Sequence, residues 1–157
     1  KIMDRWLGKY AETAKSAFPN ADPNYPGAGA AGGLGFAFKT FMNASLESGI
    51  GIILDETELE KHIADADVVV TGEGRIDFQT AMGKAPIGVA KLAKKHGKRV
   101  VAFAGCVTAD AEECNNHGID AFFPIIRGIT TLDEALDREN AYSNLRAAAY
   151  QVFNLLK

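Results

Sequence analysis

The sequence predicts an α/β protein built on a parallel sheet with helices on its faces, and three observations carry that expectation. The run Val68-Val69-Val70 is apolar, β-branched and soon closed by Gly72, the composition of a strand buried on both faces. Two more runs of the same kind follow, Arg99 to Gly105 around Val100-Val101-Ala102-Phe103-Ala104, and Ile119 to Ile126. Between them lie stretches with helical spacing and short joints, and strand, helix, strand, helix, strand is the order of βαβ units.

Taken in order, Lys1 to about Ala17 carries Ile2, Met3, Trp6, Leu7 and Tyr10 near helical spacing and predicts a helix packed on a core by that stripe. Pro19 to Pro26 holds three prolines, which fix φ and lack donors, so it predicts a surface loop. The loop leads into Gly27-Ala28-Gly29-Ala30-Ala31-Gly32-Gly33-Leu34-Gly35, after which Phe36, Phe38, Phe41 and Met42 suggest a helix to about Ala44. Gly49 to Leu54 reads as a short strand, followed by a helix capped near Asp55 or Thr57 with Leu59, His62 and Ile63 on it. Ala85 to His96 predicts a helix with Pro86 in its first turn and Gly97 as its stop. A helix through Glu112, Glu113 and Cys114 should end at His117-Gly118. Thr131 and Glu134 stand at the spacing of a capping box, and Asn140 to Lys157 repeats Tyr142, Leu145, Ala149, Val152, Phe153 and Leu156 as a helix closing the sheet's flank.

Composition narrows the functions. The chain has 157 residues, about one domain's length, with 47% apolar content and a formal charge of −3. No basic run interleaved with aromatics appears, so no nucleic-acid partner is expected; Lys91, Lys94, Lys95, Lys98 and Arg99 read as a solvated helix end. No apolar stretch approaches the ~20 residues that span a bilayer, and no secretory pattern opens the chain, so the expectation is a cytoplasmic protein without membrane partners. Cys106 and Cys114 lack CxxC spacing, and Cys106 reads as a small filler at the lip of a strand. The chain begins at Lys1 with the helical pattern already running, which reads as a piece of something longer.

The chemistry concentrates in Gly72-Glu73-Gly74-Arg75-Ile76-Asp77-Phe78-Gln79-Thr80-Ala81-Met82-Gly83-Lys84. It follows the first clear strand, and open α/β sheets bind ligands off the carboxyl ends of their strands. Glu73 and Asp77 offer carboxylates, Arg75 and Lys84 cations, Thr80 a hydroxyl, and Gly72 and Gly74 amides that a ligand can approach. Cations meet phosphate oxygens while carboxylates hold a divalent metal or take a proton, so the set suits a phosphorylated ligand with a metal. The competing reading is a polar loop whose charges pair with one another. Gly83-Lys84 is followed by Ala85 and lacks the earlier glycine of a P-loop. Gly27-x-Gly29-x-x-Gly32 matches the dinucleotide fingerprint in letters, yet a proline-rich loop stands where that fingerprint needs a strand. Gly27, Gly29, Gly32 and Gly33 then suit either an anion at a helix start or close packing through small residues.

Pro26 to Gly35, Ala64 to Thr80 and Gly83 to Ala90, with Gly118-Ile119-Asp120-Ala121 and Leu132 to Leu136, together resemble the glycerate kinase family that includes bacterial glycerate 2-kinases. The resemblance implies a cytoplasmic enzyme that moves the γ-phosphoryl group of ATP to D-glycerate with Mg²⁺. It implies two α/β lobes, with residues 1–65 ending the second lobe and residues 66–157 forming a Rossmann-like domain. Members are more than twice as long, so it also implies a missing amino-terminal partner segment and an isolated chain with little activity, and it leaves a homodimer open. The block from Cys106 to Asn116 departs from the family's glycine-rich pattern. On this basis Arg75 and Lys84 are expected on phosphate or the glycerate carboxylate, Glu73 and Asp77 on Mg²⁺, with Asp77 favoured as base. Thr80, Gly72 and Gly74 would orient the ligand, and Gly27, Gly29, Gly32 and Gly33 would cradle an anion. A phosphate-binding module without catalysis is the alternative.

Overall fold

In a computed structural model, residues 2–157 are described; the expected helix start at Lys1 lies outside them. The chain divides into two compact units, one ending at Ile52 and one running from Ile53 to Lys157.

The first unit contains α1 (Ile2–Ala17) and α2 (Ala30–Met42), and α3 (Gly49–Glu56) crosses its end. Its core is small: Ala11, Ala14, Ala21, Ala28 and Phe36, with Tyr25 packed against it. Only part of the expected stripe packs: Tyr10 meets the Phe36 ring edge-on with centroids 5.5 Å apart, whereas Ile2, Met3 and Trp6 are 69%, 80% and 61% exposed. The buried contacts of α1 are made by Ala11 and Ala14. Periodicity reveals an apolar face but not which face finds a neighbour, and here small residues allow the closer approach. The glycine-rich run enters α2 through left-handed backbone at Ala31, Gly32 and Gly33. Gly35 is required by packing, because the Gly27 carbonyl lies where its Cβ would stand, and Phe36 N–H donates to Ala28 O at 2.9 Å.

Gly49 to Leu54 forms helix α3, not the expected strand. A short apolar run is compatible with either form, and a helix satisfies its own backbone where no neighbouring strand does so. Neither Asp55 nor Thr57 caps the following helix. Thr57 Oγ1 donates back to Ile53 O at 2.7 Å, and Glu58 takes the cap position before α4 (Leu59–Ala64).

Three parallel strands form the sheet of the second unit in the order β1 (Val68–Ile76), β2 (Arg99–Val107), β3 (Ala121–Pro124). Between β1 and β2 lie α5 (Phe78–Ala81) and α6 (Ala85–Lys95); a 3₁₀ turn, Ala109–Glu112, and α7 (Glu113–Asn116) follow β2. β3 is shorter than expected, and α8 (Leu132–Leu136) and α9 (Arg138–Leu155) end the order. Alternation along β2 sends Val100, Ala102 and Ala104 into one core with Ile76, Ile87 and Ala90, and Val101 and Phe103 into another with Val152 of α9. Both sheet faces are therefore covered, as a parallel sheet requires. Ile76, Ile87 and Val100 are fully buried, each worth about 1.5–3 kcal/mol of apolar burial.

Local signals end the elements where the sequence places them. Lys84 caps α6 with Pro86 in the first turn, and Gly97 follows it at φ +65°. Thr131 and Glu134 close the capping box of α8. Cys106 corrects its expectation as a filler: it is exposed, while Cys114 is buried.

Candidate active site

The motif after the first strand is not a loop. β1 continues through Gly72-Glu73-Gly74-Arg75 to Ile76, so two of the four charged side chains stand on a strand. Asp77 then caps α5. Its N–H donates to Thr80 Oγ1 at 3.2 Å, and the Thr80 N–H donates to Asp77 Oδ1 at 3.3 Å. This reciprocal box turns the chain sharply at the carboxyl end of β1. Gly83, at φ +110°, makes a second turn that only glycine adopts without strain, and it sets Lys84 at the head of α6.

These turns bring Glu73, Arg75, Asp77, Thr80 and Lys84 together. Lys84 Nζ lies 3.7 Å from Glu73 Oε2 and 3.6 Å from Asp77 Oδ1, so one ammonium bridges two carboxylates. Arg75 Nε stands 3.5 Å from Asp77 Oδ2. The carboxylates are largely covered, with side chains 20% and 18% exposed, whereas Lys84 is 40% and Arg75 61% exposed. The acids thus form the floor of the cluster and the cations its outer layer. Thr80 is fully buried and donates its hydroxyl to Glu73 Oε1, so that hydroxyl holds the acid in place.

Asp77 titrates below the usual carboxylate range. Partial desolvation raises its pKa, but the Thr80 N–H, the Lys84 ammonium, the Gln79 N–H and the Arg75 guanidinium together outweigh it. The group is ionised at neutral pH. Burial raises the Cys114 thiol, with Glu73 and Asp77 adding to the effect, so Cys114 is a packing residue whose Sγ rests 3.8 Å from Asp77 O.

The two glycines of the strand differ in use. The Phe103 carbonyl occupies the space a Cβ on Gly72 would take, so that glycine serves strand packing, while Gly74 has open space beside it. Gly105, which the motif reading passed over, has the same duty as Gly72: a Cβ there would lie 2.6 Å from Gly74 O. Only the register Arg75 to Cys106 across β1 and β2 reveals it.

A cavity of about 330 Å³ opens between the middle of β1 and β2 and Leu145 of α9, bounded by Thr71, Gly72, Glu73, Gly105 and Ile125. A wider groove of about 1030 Å³ runs between β3 and α9 and carries Arg127 and Arg146. Arg127 is held there by Asn144 Oδ1 at 2.7 Å, and nothing in the local sequence around it signalled a groove. In the first unit, Gly29, Gly32 and Gly33 line a cavity of about 480 Å³ whose charged lining residue, among those described, is Asp4. An acid in that lining is unsuited to holding an anion without added cations.

A divalent cation would meet oxygen donors of the right kind at Glu73 and Asp77. Among the described residues no three His, Cys, Asp or Glu side chains are placed to hold a metal, so this chain provides two carboxylates. That fits Mg²⁺, which takes one or two carboxylates and completes its shell with phosphate and water.

Fold and cluster define a class first: an α/β protein with paired acids and exposed cations at the carboxyl edge of a parallel sheet, the arrangement suited to phosphorylated ligands. A family model described as the glycerate kinase family matches residues 1–157, and the chain belongs to that family. It is 47% identical over 150 residues to a glycerate 2-kinase of Escherichia coli (strain K12), covering 96% of this chain and 39% of that protein. With a glycerate kinase of Bacillus subtilis (strain 168) the identity is 42% over 141 residues, covering 90% of this chain and 37% of the relative. A crystal structure from Salmonella typhimurium LT2, described as a candidate glycerate kinase 2, superposes with a TM-score of 0.68 at 44% identity over 95% of this chain and 37% of that one. The chain therefore spans well under half the length of these relatives.

Proposed function

We propose that this polypeptide forms part of the phosphoryl-transfer site of a kinase that phosphorylates D-glycerate from ATP with Mg²⁺. The observation that carries the reading is the convergence of Glu73, Arg75, Asp77 and Lys84 on one spot at the carboxyl end of β1, in a chain whose relatives are named glycerate kinases. Phosphoryl transfer asks a protein mainly to position groups and neutralise charge, and this cluster contains both kinds of group.

The exposed ends of Lys84 and Arg75 swing from the carboxylates to phosphate oxygens or the glycerate carboxylate. Glu73 and Asp77 would hold Mg²⁺, which would supply neutralising charge to the phosphates. Asp77, held ionised, accepts a hydrogen bond from the attacking hydroxyl and takes its proton as the new P–O bond forms; a loose transition state asks for no stronger base. Thr80 keeps Glu73 oriented from beneath. The Gly27–Gly33 turn, with Gly29 and Gly32, faces an anion only jointly with cations from another segment, since Asp4 lines its cavity.

The test is a chimera in which this chain replaces the matching part of the Escherichia coli relative. Glycerate-dependent ADP formation is expected, and Asp77→Asn or Lys84→Met should lower it by about 100-fold with the circular dichroism spectrum unchanged. A near-normal rate in both variants removes them from the mechanism. The alternative is a phosphate-binding module without catalysis. It predicts nucleotide binding by the chimera without ADP release.

A further inference from the structure

The groove between β3 and α9 is built by a different pattern from the charged cluster. Phe123 and Ile125 stand two residues apart on the sheet face that α9 covers, and Ile125 N–H still donates to Ala104 O at 2.8 Å. Arg127 comes two residues later, just past the carboxyl end of β3, and turns onto the helix. On α9, Ser143, Arg146, Ala147 and Tyr150 recur at spacings of three and four, so they share one face, and all four line the groove.

Its two cations are placed for an anion. Arg127 Nε donates to Asn144 Oδ1 at 2.7 Å and Nη2 to Ser143 Oγ at 3.4 Å, so neutral acceptors fix the guanidinium without cancelling its charge. Among the described residues neither Arg127 nor Arg146 forms an ion pair, and no acid lines the groove. A guanidinium already held in place loses little freedom on meeting a ligand, and its remaining N–H groups suit phosphate oxygens. The volume, about 1030 Å³, matches the upper end of the ~300–1,000 Å³ typical of small-molecule sites and far exceeds an inorganic ion. Phe123 and Ile125 make an apolar floor, and the ring of Tyr150, a residue 64% exposed, stands at the wall.

We infer that this groove binds a phosphate monoester with a flat apolar body, at a site separate from the Glu73, Asp77 and Lys84 cluster. Arg127 and Arg146 take the phosphate, and Phe123, Ile125 and Tyr150 take the body. A monoester, with a charge of about −1.5 to −2 at neutral pH, balances two guanidiniums. β2 lies between β1 and β3, which sets the outer strands roughly 10 Å apart. None of the cluster's side chains lines the groove, and Ile125 alone is common to it and the hollow beside Glu73. Both walls belong to this chain. The site goes beyond the kinase reading and does not depend on it.

The experiment titrates phenyl phosphate, as the probe, into the chimera described above and follows the heat of binding. One site per chain is expected, with a Kd of about 1 mM or tighter, and methyl phosphate, which lacks the ring, should bind at least about tenfold more weakly. Arg127→Gln and Arg146→Gln should each weaken phenyl phosphate at least about tenfold, whereas Lys84→Met should leave its Kd within about twofold. Arg146→Gln leaves the bonds of Arg127 to α9 intact, so it decides the matter if Arg127→Gln does not fold. A chimera that forms no ADP still reports this binding, so failure of the kinase reading and failure of the groove are distinguishable. No binding, binding lost in Lys84→Met, undiminished binding by both arginine variants, or a KM for ATP raised at least about tenfold in those variants would each overturn the proposal.

Discussion

Thr80 shows how a hydroxyl can matter to a site it never reaches. It is fully buried, accepts from the Asp77 N–H and donates to Glu73, so it joins the strand end to the start of α5. Thr80→Val keeps the shape and removes both bonds, and should cost about 1–3 kcal/mol in urea denaturation, since Asp77 N–H and Glu73 lose a covered partner. Thr80→Ser keeps the hydroxyl and should recover most of that loss. Acid titration tests the carboxylates. Desolvation raises the pKa of both Asp77 and Asp120, but it is outweighed at Asp77 by the Thr80 N–H and Lys84, and at Asp120 by Lys94 and the Val100 N–H, so both stay below the usual carboxylate range in the folded chain. A lowered folded pKa gives stability that is complete above the unfolded value and is lost as pH falls through the folded one. The urea midpoint should therefore hold steady from neutral pH down to about pH 5 as far as these groups decide, then fall below about pH 4. Asp120→Asn, which weakens the acceptor of the 2.6 Å bond from Val100 N–H, should flatten that fall and lower the plateau.

Along the elements, the closeness of β1 and β2 decides what substitutions they bear. Gly105→Ala would place a Cβ 2.6 Å from a backbone oxygen that cannot move without parting the strands, so it should destabilise by about 1–3 kcal/mol. Gly74→Ala, two residues from Ile76 on the neighbouring strand, meets nothing within 4 Å and should change stability by less than about 0.5 kcal/mol. Thermal melts of the two variants, side by side, check the contrast. The elements also show where periodicity was enough. Val68-Val69-Val70, Pro86 after Lys84, and the Thr131 and Glu134 pair each act within a few residues, and each element formed as its local chemistry implied. Gly49 to Leu54 became α3 because a strand needs a neighbouring edge that a local reading does not supply, while a helix completes its own hydrogen bonds.

Across the whole molecule, the formal charge is −3, and among the described residues no helix is long and apolar enough to cross a membrane. The chain spans about 39% of its Escherichia coli relative, and by itself it should release no ADP in response to glycerate, while the chimera should do so; a coupled assay of the two measures it. The sequence by itself determined the fold class, the two crossings between the strands and the identity of the charged residues, because strand composition, helix caps and turn glycines act over short distances. It did not contain the outward turn of Ile2, Met3 and Trp6 on α1, nor the exposure of Cys106, since both depend on which surfaces meet. Tertiary structure alone decided that Lys84 bridges Glu73 and Asp77, that the hydroxyl of Thr80 is turned inward to Glu73, and that Gly105 must stay small. Those facts arise from the register of two strands and the angle of two turns, which place atoms from distant positions within a few ångströms of each other.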